Sequence, residues 1–283
     1  MLFKAGLLGI VEGLTEFLPV SSTGHLIIFS NLIGFYEHAD KTFVDLFNMI
    51  IQLGAILAVV FYYKEKIIDT IIHLFPSSKV PLVESGIYFW SMVLISCIPA
   101  ALVGLPFDDL VQAYLFNPPV VACTLFFGAL WMLYAEARLK GNMVTPLSST
   151  SLTPAKALSV GLFQVLSIIP GMSRSASTII GGWVSGMSTV AAAEYSFFLA
   201  IPVMFGQALL NILKLLQSPV PLSSTAWLAL AIGFLVSFIV ALLVIGSFLA
   251  FLKKKPLKYF AVYRIIFAFV VLIAGAFGLL SQV

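Results

Sequence analysis

The stretch VEGLTEFLPVSSTGHL, residues 11–26, interrupts an apolar segment with two glutamates, three consecutive hydroxyl side chains and a histidine. Pro19 disfavours the helical conformation of the residue before it, and the hydroxyl residues that follow are of the types that start a new helix. The apolar pieces on either side, 5–18 and 26–35, are each shorter than the roughly 20 residues that a helix needs to cross a bilayer. The stretch therefore predicts a helix that breaks and resumes.

The remainder of the chain places this break in a membrane. Of its 283 residues, 61% are hydrophobic and only 10% are charged, whereas about a quarter of the residues of soluble domains are charged. The stretches long enough to span a membrane are 43–62, 88–106, 119–137, 191–213, 226–251 and 259–280. The net charge of +3 is too small to indicate a nucleic-acid partner. No small-residue cleavage site follows the first apolar residues, so we expect no cleavable signal peptide.

A second interruption lies in the other half of the chain. The stretch PGMSRSAS begins at Pro170 and separates short apolar pieces at 155–169 and 179–187. Broken helices are tolerated at membrane depth only where protein or a water-filled cavity surrounds them, because lipid cannot bond their free backbone groups. We therefore interpret both interruptions as re-entrant helix–loop–helix hairpins.

The two hairpins also resemble each other, since residues 9–26 align with residues 161–178. With a one-residue gap the pairs are Gly9 with Gly161, Glu12 with Gln164, Pro19 with Pro170, Ser22 with Ser173 and Thr23 with Arg174. Three spans follow each hairpin, so the second copy is inserted upside down relative to the first, and paired breaks of this kind mark a site near the midplane. Chance similarity between apolar hairpins is the alternative.

The predicted fold class is therefore an all-α polytopic membrane protein with an inverted repeat, six transmembrane helices and two re-entrant hairpins. We expect a single integral membrane domain over residues 1–283. Its first repeat covers about 1–140 and its second about 153–283.

The basic residues predict the orientation, because short cytoplasmic loops carry an excess of lysine and arginine. If 43–62 runs inward, the cytoplasmic face has Lys64, Lys66, Lys79, Arg138, Lys140, Lys156, Lys253, Lys254, Lys255 and Lys258. The outer face has only Lys4, Lys41 and Lys214. A loop at 105–119 with Asp108 and Asp109, both termini and the first hairpin then face outward. Arg264 lies about one turn from the cytoplasmic lysines and is expected to reach that interface.

Glu12 and Glu16 are four residues apart and therefore lie on one face of the first half-helix. Two ionised carboxylates in a bilayer are costly unless something compensates their charge. A divalent cation would do so, since Mg²⁺ takes carboxylate oxygens and completes its shell with water and substrate phosphate. Ca²⁺ is the alternative ion. Protonation, or pairing with an arginine, is the structural alternative.

The hydroxyls Ser21, Ser22 and Thr23 have two interpretations. They can serve only as caps of the second half-helix. A helix N-terminus also attracts phosphate through its free N–H groups and positive dipole end. A serine there is then a candidate nucleophile, with His25 or a glutamate accepting its proton. By itself, His25 is most often a packing residue.

The second break supplies the opposite charge. Its polar residues at the start of the following half-helix are Ser173, Arg174, Ser175, Ser177 and Thr178. Arginine has a rigid fork that fits phosphate oxygens, and the hydroxyls add donors. In the alternative interpretation, Arg174 only neutralises the charge of Glu12 or Glu16. Both interpretations can hold, because the arginine can pair with a glutamate while no substrate is bound. A cation site that faces an arginine and two helix N-termini suits a phosphate ester or anhydride.

At these residues the chain resembles the BacA-type undecaprenyl-diphosphate phosphatases of bacteria. EGLTEFLPVSSTGHL at 12–26 is similar to that family's E-x-x-x-E and S-S-T-G-H motifs, and PGMSRSAST at 170–178 to its P-G-x-S-R-S-x-x-T motif. IIQLGAILAVV at 50–60 and AEYSFFLAIPVM at 193–204 extend the likeness over nearly the whole chain. The resemblance implies removal of the terminal phosphate from undecaprenyl diphosphate, a lipid carrier of cell-wall precursors. It also implies an outer-face site in the bacterial cytoplasmic membrane, a divalent cation and bacitracin resistance.

The resemblance also implies roles for single residues. Glu12 and Glu16 would handle metal or protons, Ser22 would be the nucleophile, and His25 would assist. The residues expected to bind substrate are Ser21, Thr23, Ser173, Arg174, Ser175 and Thr178. A motif match leaves open whether serine or water attacks, and whether His25 or Glu16 is the base.

A secondary transporter or lipid flippase is the main alternative, because inverted repeats with broken helices are a transporter architecture. A nucleophile, a base, a metal site and an arginine together favour chemistry instead. Acid-phosphatase-like membrane enzymes need a second histidine soon after their S-R motif, and the chain has only His25, His38 and His73. An intramembrane serine protease is disfavoured because no G-x-S-x-G occurs. We expect a polyprenyl diphosphate and membrane lipids as partners, and the glycines at 181–183 and 274–278 leave a homodimer open.

Overall fold

The computed structural model describes residues 1–35, 41–139, 147–148, 150, 152–217, 222–277 and 280. Within these ranges, six helices are long and apolar enough to cross a membrane. They cover Thr42–Tyr62, Gly86–Phe107, Pro118–Leu139, Thr189–Leu213, Ser224–Leu252 and Lys258–Ala276. The six predicted spans are thus confirmed, with ends that agree to within about one helical turn. The protein is a multi-pass α-helical membrane protein.

The complete helices in chain order are α1 (Leu2–Thr15), α2 (Ser22–Leu32), α3 (Lys41–Tyr62), α4 (Lys64–Ile72), α5 (Gly86–Leu115), α6 (Pro118–Leu139), α7 (Pro154–Gln164), α8 (Arg174–Val184), α9 (Thr189–Gln217), α10 (Ser224–Leu252) and α11 (Lys258–Ala276). A 3₁₀ turn at Val165–Ile168 extends α7. Both predicted interruptions are therefore real breaks between short helices. One separates α1 from α2, and the other separates α7 from α8.

One predicted loop is wrong. Helix α5 continues to Leu115 with Pro99 and Pro106 inside it, so most of the stretch 105–119 is helical. Pro106 lacks an N–H and disfavours the helical conformation before it, yet the helix continues through it. Several residues named in the sequence analysis lie outside the described part of the structure. They are the side chains of Asp108, Asp109, Lys41 and Lys214 and the whole of Lys140 and His38.

Helix α4 was not predicted. It follows α3 after a single residue, and none of its residues is buried. Ile68, Ile71 and Ile72 are exposed on it beside lysine and acidic side chains. Its nine residues are too few to span, so the search for long apolar stretches passed over it. A short amphipathic helix of this composition is typical of a membrane interface.

The short helices pack on spans of the opposite half of the chain. Helix α1 lies along α10 and α7 lies along α5, while α3 contacts α9 and α6 contacts α11. Glycines bring α1 and α10 together. If Gly9 had a Cβ atom, this atom would lie 2.7 Å from the carbonyl oxygen of Gly233. A Cβ atom on Gly13 would lie 2.8 Å from the carbonyl oxygen of Ser237. Small residues at such positions let helix backbones approach closely. This packing brings the two breaks into contact with each other.

The glycines that left a homodimer open have different surroundings. Cβ atoms at Gly181 and Gly182 would meet α7 and Ala192, so both glycines pack inside the chain. A Cβ at Gly275 would have nothing within 4 Å. Gly278 lies outside the described residues. Of the two glycine stretches, the one at 181–183 therefore serves packing within the chain.

Candidate active site

Both breaks line one small cavity of ≈ 40 Å³. Its lining residues are Glu16, Ser21, Ser22, Thr23, Ser167, Ile169, Pro170, Gly171, Ser173 and Arg174. A volume of this size holds only a few water molecules.

Glu16 connects the two breaks. Its Oε1 accepts a hydrogen bond from Arg174 Nη2 at 3.0 Å, and its Oε2 accepts one from the Ser22 hydroxyl. The side chains of Glu16 and Arg174 are 10% and 13% exposed, so this ion pair is largely buried. The pairing of Arg174 with a glutamate that the sequence left open is therefore present. The same carboxylate lies beside the predicted nucleophile.

Arg174 has donors that the protein does not use. Its Nε and Nη1 atoms are buried and have no hydrogen-bond partner among the described residues. Buried donors without partners are costly, and the large majority in folded proteins are satisfied. Oxygen atoms of a bound anion would supply the missing acceptors.

Glu12 lies one turn before Glu16 and is completely buried. Both of its carboxylate oxygens lack hydrogen-bond partners in the described part of the chain. No group of three or more His, Cys, Asp or Glu side chains is assembled for a metal ion among those residues. Mg²⁺, however, is usually held by one or two carboxylates together with water and substrate phosphates. Two carboxylates are therefore enough for such a cation, and of the two only Glu16 lines the cavity.

Each resumed helix starts from a serine with unusual backbone geometry. Ser21 has φ 72° and accepts a bond from Gly24 N, and Ser173 has φ 71° and accepts one from Ala176 N. Positive φ is uncommon outside glycine and is often retained at functional sites. The two caps correspond to each other.

This correspondence corrects the predicted alignment by one residue. Ser21 matches Ser173, so Arg174 occupies the position of Ser22 and not that of Thr23. The predicted one-residue gap pairs Pro19 with Pro170. Those prolines lie in the irregular segments between helices, where equal sequence position does not mean equal structure.

The other predicted binding residues divide into two sets. Ser21, Thr23 and Ser173 line the cavity. Ser175 does not line it and donates to the Leu18 carbonyl at 2.8 Å, which ties the second break to the first. Thr178 does not line it either; its hydroxyl donates to the Arg174 carbonyl at 2.9 Å and forms a second hydrogen bond with the Ser196 hydroxyl at 2.6 Å.

His25 is held from both sides of its ring. Its Nδ1 lies 2.8 Å from the Ser21 carbonyl oxygen and its Nε2 lies 2.7 Å from the Tyr263 hydroxyl. A carbonyl only accepts, so Nδ1 carries the proton and neutral His25 accepts the Tyr263 hydrogen at Nε2. Ser22 is bonded to Glu16 instead. Of the two bases that the sequence left open, Glu16 is therefore the one in contact with Ser22.

Arg264 is placed differently from the prediction. It was expected to reach the cytoplasmic interface, but it is 0% exposed and its Nη2 donates to the Gly171 carbonyl at 2.9 Å. Helix α6 leaves room for it, because a side chain at Gly128 would overlap the guanidinium. Sequence reasoning missed both Arg264 and Tyr263 as neighbours of the site. The signal was an arginine within an apolar span, which is a functional candidate by default.

Fold and site together define a polytopic helical membrane protein with a buried serine, carboxylate and arginine where two broken helices meet. The family model described as bacitracin resistance protein BacA matches residues 5–270, and the chain belongs to that family. An undecaprenyl-diphosphatase of Ruminiclostridium cellulolyticum is 54% identical over 275 residues, which cover 97% of this chain and 96% of the relative.

Two further relatives agree with this assignment. An undecaprenyl-diphosphatase of Clostridium novyi is 46% identical over 287 residues, with 99% of this chain and 98% of the relative covered. Undecaprenyl-diphosphatase 2 of Clostridium acetobutylicum is 45% identical over 298 residues, with 97% and 96% covered. The resemblance that the motifs indicated is confirmed.

Proposed function

We propose that this protein hydrolyses undecaprenyl diphosphate to undecaprenyl phosphate and inorganic phosphate. The observation that carries the proposal is the shared carboxylate of Glu16, which binds the Ser22 hydroxyl and the Arg174 guanidinium through its two oxygens. The names of the relatives, undecaprenyl-diphosphatases, support the same substrate. The reaction would recycle the lipid carrier for cell-wall synthesis and confer resistance to bacitracin.

In the proposed mechanism the diphosphate displaces Glu16 from Arg174. The guanidinium then holds oxygens of the distal phosphoryl group, and the free N–H groups of α2 and α8 add donors. Ser22 Oγ attacks the distal phosphorus while Glu16 accepts the serine proton, and the bond to the bridging oxygen breaks to release undecaprenyl phosphate. Water then hydrolyses the phosphoserine. In the alternative, water attacks directly and Ser22 orients it.

Glu12 and Glu16 would hold the divalent cation, Mg²⁺ or Ca²⁺. Such an ion neutralises charge that develops on the transferring phosphoryl group. The two unbonded oxygens of buried Glu12 support this assignment. His25 and Ser21 do not take part in the phosphoryl transfer itself. They fix the start of α2, because His25 donates a hydrogen bond to the Ser21 carbonyl.

The proposed arrangement in the membrane is an inverted repeat with two re-entrant hairpins. Matched serine caps support the repeat, and so does reciprocal packing, in which α1 contacts α10 and α7 contacts α5. The lysine distribution supports termini and a site that open to the outer face of the bacterial cytoplasmic membrane. A homodimer is a further proposal, for which Gly275 offers a free close-packing position.

The test measures phosphate release from a short-chain polyprenyl diphosphate by the purified protein in Mg²⁺ and in EDTA. We expect wild type to be active only with the cation and Ser22→Ala or Arg174→Ala to lose at least about a hundred-fold. Ser247→Ala is the matched control, because this exposed serine bonds only to its own helix. A folded wild type that releases no phosphate in Mg²⁺ or Ca²⁺ would contradict the proposal and favour a carrier.

A further inference from the structure

We propose that Tyr263 and Arg264, consecutive residues on α11, are positioning residues that hold the two breaks in register for catalysis. The inference rests on the proposed phosphatase function. Neither residue lines the cavity. Each acts through one intermediate group, Tyr263 through His25 on the first break and Arg264 through the Gly171 carbonyl on the second.

The first connection runs from Tyr263 to the serine cap of α2. The Tyr263 hydroxyl donates to His25 Nε2 at 2.7 Å, and His25 Nδ1 donates to the Ser21 carbonyl at 2.8 Å. The His25 ring also lies nearly parallel to two aromatic rings, with centroids 5.6 Å from Tyr263 and 4.1 Å from Phe267. The two hydrogen bonds and the contact with Phe267 fix the imidazole. The held carbonyl belongs to the residue directly before Ser22.

The second connection runs from Arg264 to the loop before Arg174. Arg264 Nη2 donates to the Gly171 carbonyl at 2.9 Å, and Thr124 Oγ1 donates to the adjacent Pro170 carbonyl at 2.5 Å. Gly171 has φ +94°, which glycine adopts without strain, and the two donors fix the carbonyls on either side of the Pro170–Gly171 turn. This loop leads directly into Ser173 and Arg174. Its position therefore sets where the phosphate-binding guanidinium points.

A purely structural role does not explain Arg264. Within the described part of the chain it forms no ion pair, and its Nε and Nη1 have no hydrogen-bond partner although the residue is 0% exposed. A buried charge without a carboxylate is costly. A methionine would remove this cost but would also take the Arg264 donor from the Gly171 carbonyl, so the two effects on stability oppose each other. Holding the Gly171 carbonyl needs a donor, and a positive charge behind the cavity favours an anionic substrate.

The experiment compares Tyr263→Phe, Arg264→Met and Arg264→Lys with wild type. Tyr259→Phe is the control, since Tyr259 lies one turn away on the same helix and is 51% exposed. For each purified protein, kcat and KM for phosphate release are measured on the folded fraction, together with the melting temperature. Tyr263→Phe is expected to lower kcat about five-fold to ten-fold with KM unchanged.

Arg264→Met is expected to lower kcat/KM about a hundred-fold while its melting temperature stays close to that of wild type, because loss of a buried charge and loss of a donor oppose each other. Arg264→Lys keeps the charge and one donor, so it should recover part of this loss. Tyr263→Phe in a His25→Ala background should cause no further loss, because both substitutions break one connection. Combined with Arg264→Met, its effect should multiply.

The inference would be overturned if folded Tyr263→Phe and Arg264→Met had the same kcat and KM as an active wild-type protein. The proposed function would then still stand. A lower melting temperature with unchanged kcat on the folded fraction would also overturn it, since it assigns a structural role. If Arg264→Met does not fold, Arg264→Lys decides by the same criterion. An inactive wild type would overturn the proposed function itself.

Discussion

Replacement of Glu16 by glutamine is expected to abolish phosphate release and yet strengthen the binding of inorganic diphosphate in the absence of metal. The Glu16 carboxylate now occupies Arg174, with 3.0 Å between Oε1 and Nη2, so an anion must displace it. A hydrogen bond to a charged group contributes about 1.5–3 kcal/mol. Since about 1.4 kcal/mol is a factor of ten in affinity, glutamine should strengthen diphosphate binding by roughly ten-fold to a hundred-fold.

The same substitution should lower stability when no anion is present. The pair is largely buried, and removing one partner of a buried ion pair costs about 3–5 kcal/mol because the other charge is left unpaired. For a protein of this size each kcal/mol corresponds to about 2–4 °C in melting temperature. Glu16→Gln should therefore melt about 6 °C or more below wild type, and diphosphate should restore much of the difference.

The assay is thermal unfolding in detergent, with EDTA and increasing inorganic diphosphate, combined with calorimetric titration of the same samples. Glu65→Gln serves as the control because this glutamate is exposed on α4, and it should behave as wild type. Folded Glu16→Gln that binds diphosphate no better than wild type in EDTA would refute the argument. It would show that the carboxylate does not compete with the substrate for Arg174.

Three further predictions follow from the site. Gly171→Ala should destabilise the protein by about 2 kcal/mol or more and reduce phosphate release, because φ is +94° and the new Cβ would overlap Thr124. The measurement is thermal unfolding, and Gly206→Ala is the control because Gly206 has open space around it. Ser21→Gly should be more stable in denaturant titration than Ser21→Ala by about 1 kcal/mol, since glycine relieves the positive φ and alanine does not. Glu12→Gln should raise the melting temperature in EDTA, and Mg²⁺ should no longer raise the melting temperature as it does in wild type. If Mg²⁺ raises the melting temperature of Glu12→Gln as much as that of wild type, the cation binds elsewhere.

Much of the fold was predictable because its signals are local. The length of each apolar stretch predicts a span, and the two prolines followed by glycine or hydroxyl residues predict a break. The same local reasoning failed at Pro106, where helix α5 continues through a proline. It also missed α4, because a nine-residue amphipathic helix does not register in a search for long apolar segments.

The candidate site was predictable as a set of residues but not as a set of contacts. The motifs identified Glu16, Ser22 and Arg174, and all three line the cavity. Their bonds could not be derived, since Arg174 and Glu16 are 158 positions apart and sequence spacing says nothing about their distance. His25 could equally have contacted Ser22. Only the packing of α11 against α2 and α6 directs its ring to Tyr263.

By itself, then, the sequence determined that the chain lies in a membrane, where its helices break and which polar residues lie at the breaks. These properties depend on composition and on the conformational preferences of neighbouring residues. The tertiary structure decided the register of the two caps, the sharing of Glu16 between Ser22 and Arg174, and the burial of Arg264. A buried charge or donor takes whichever acceptor the packed helices bring within reach, and that choice depends on distances between elements remote in the chain.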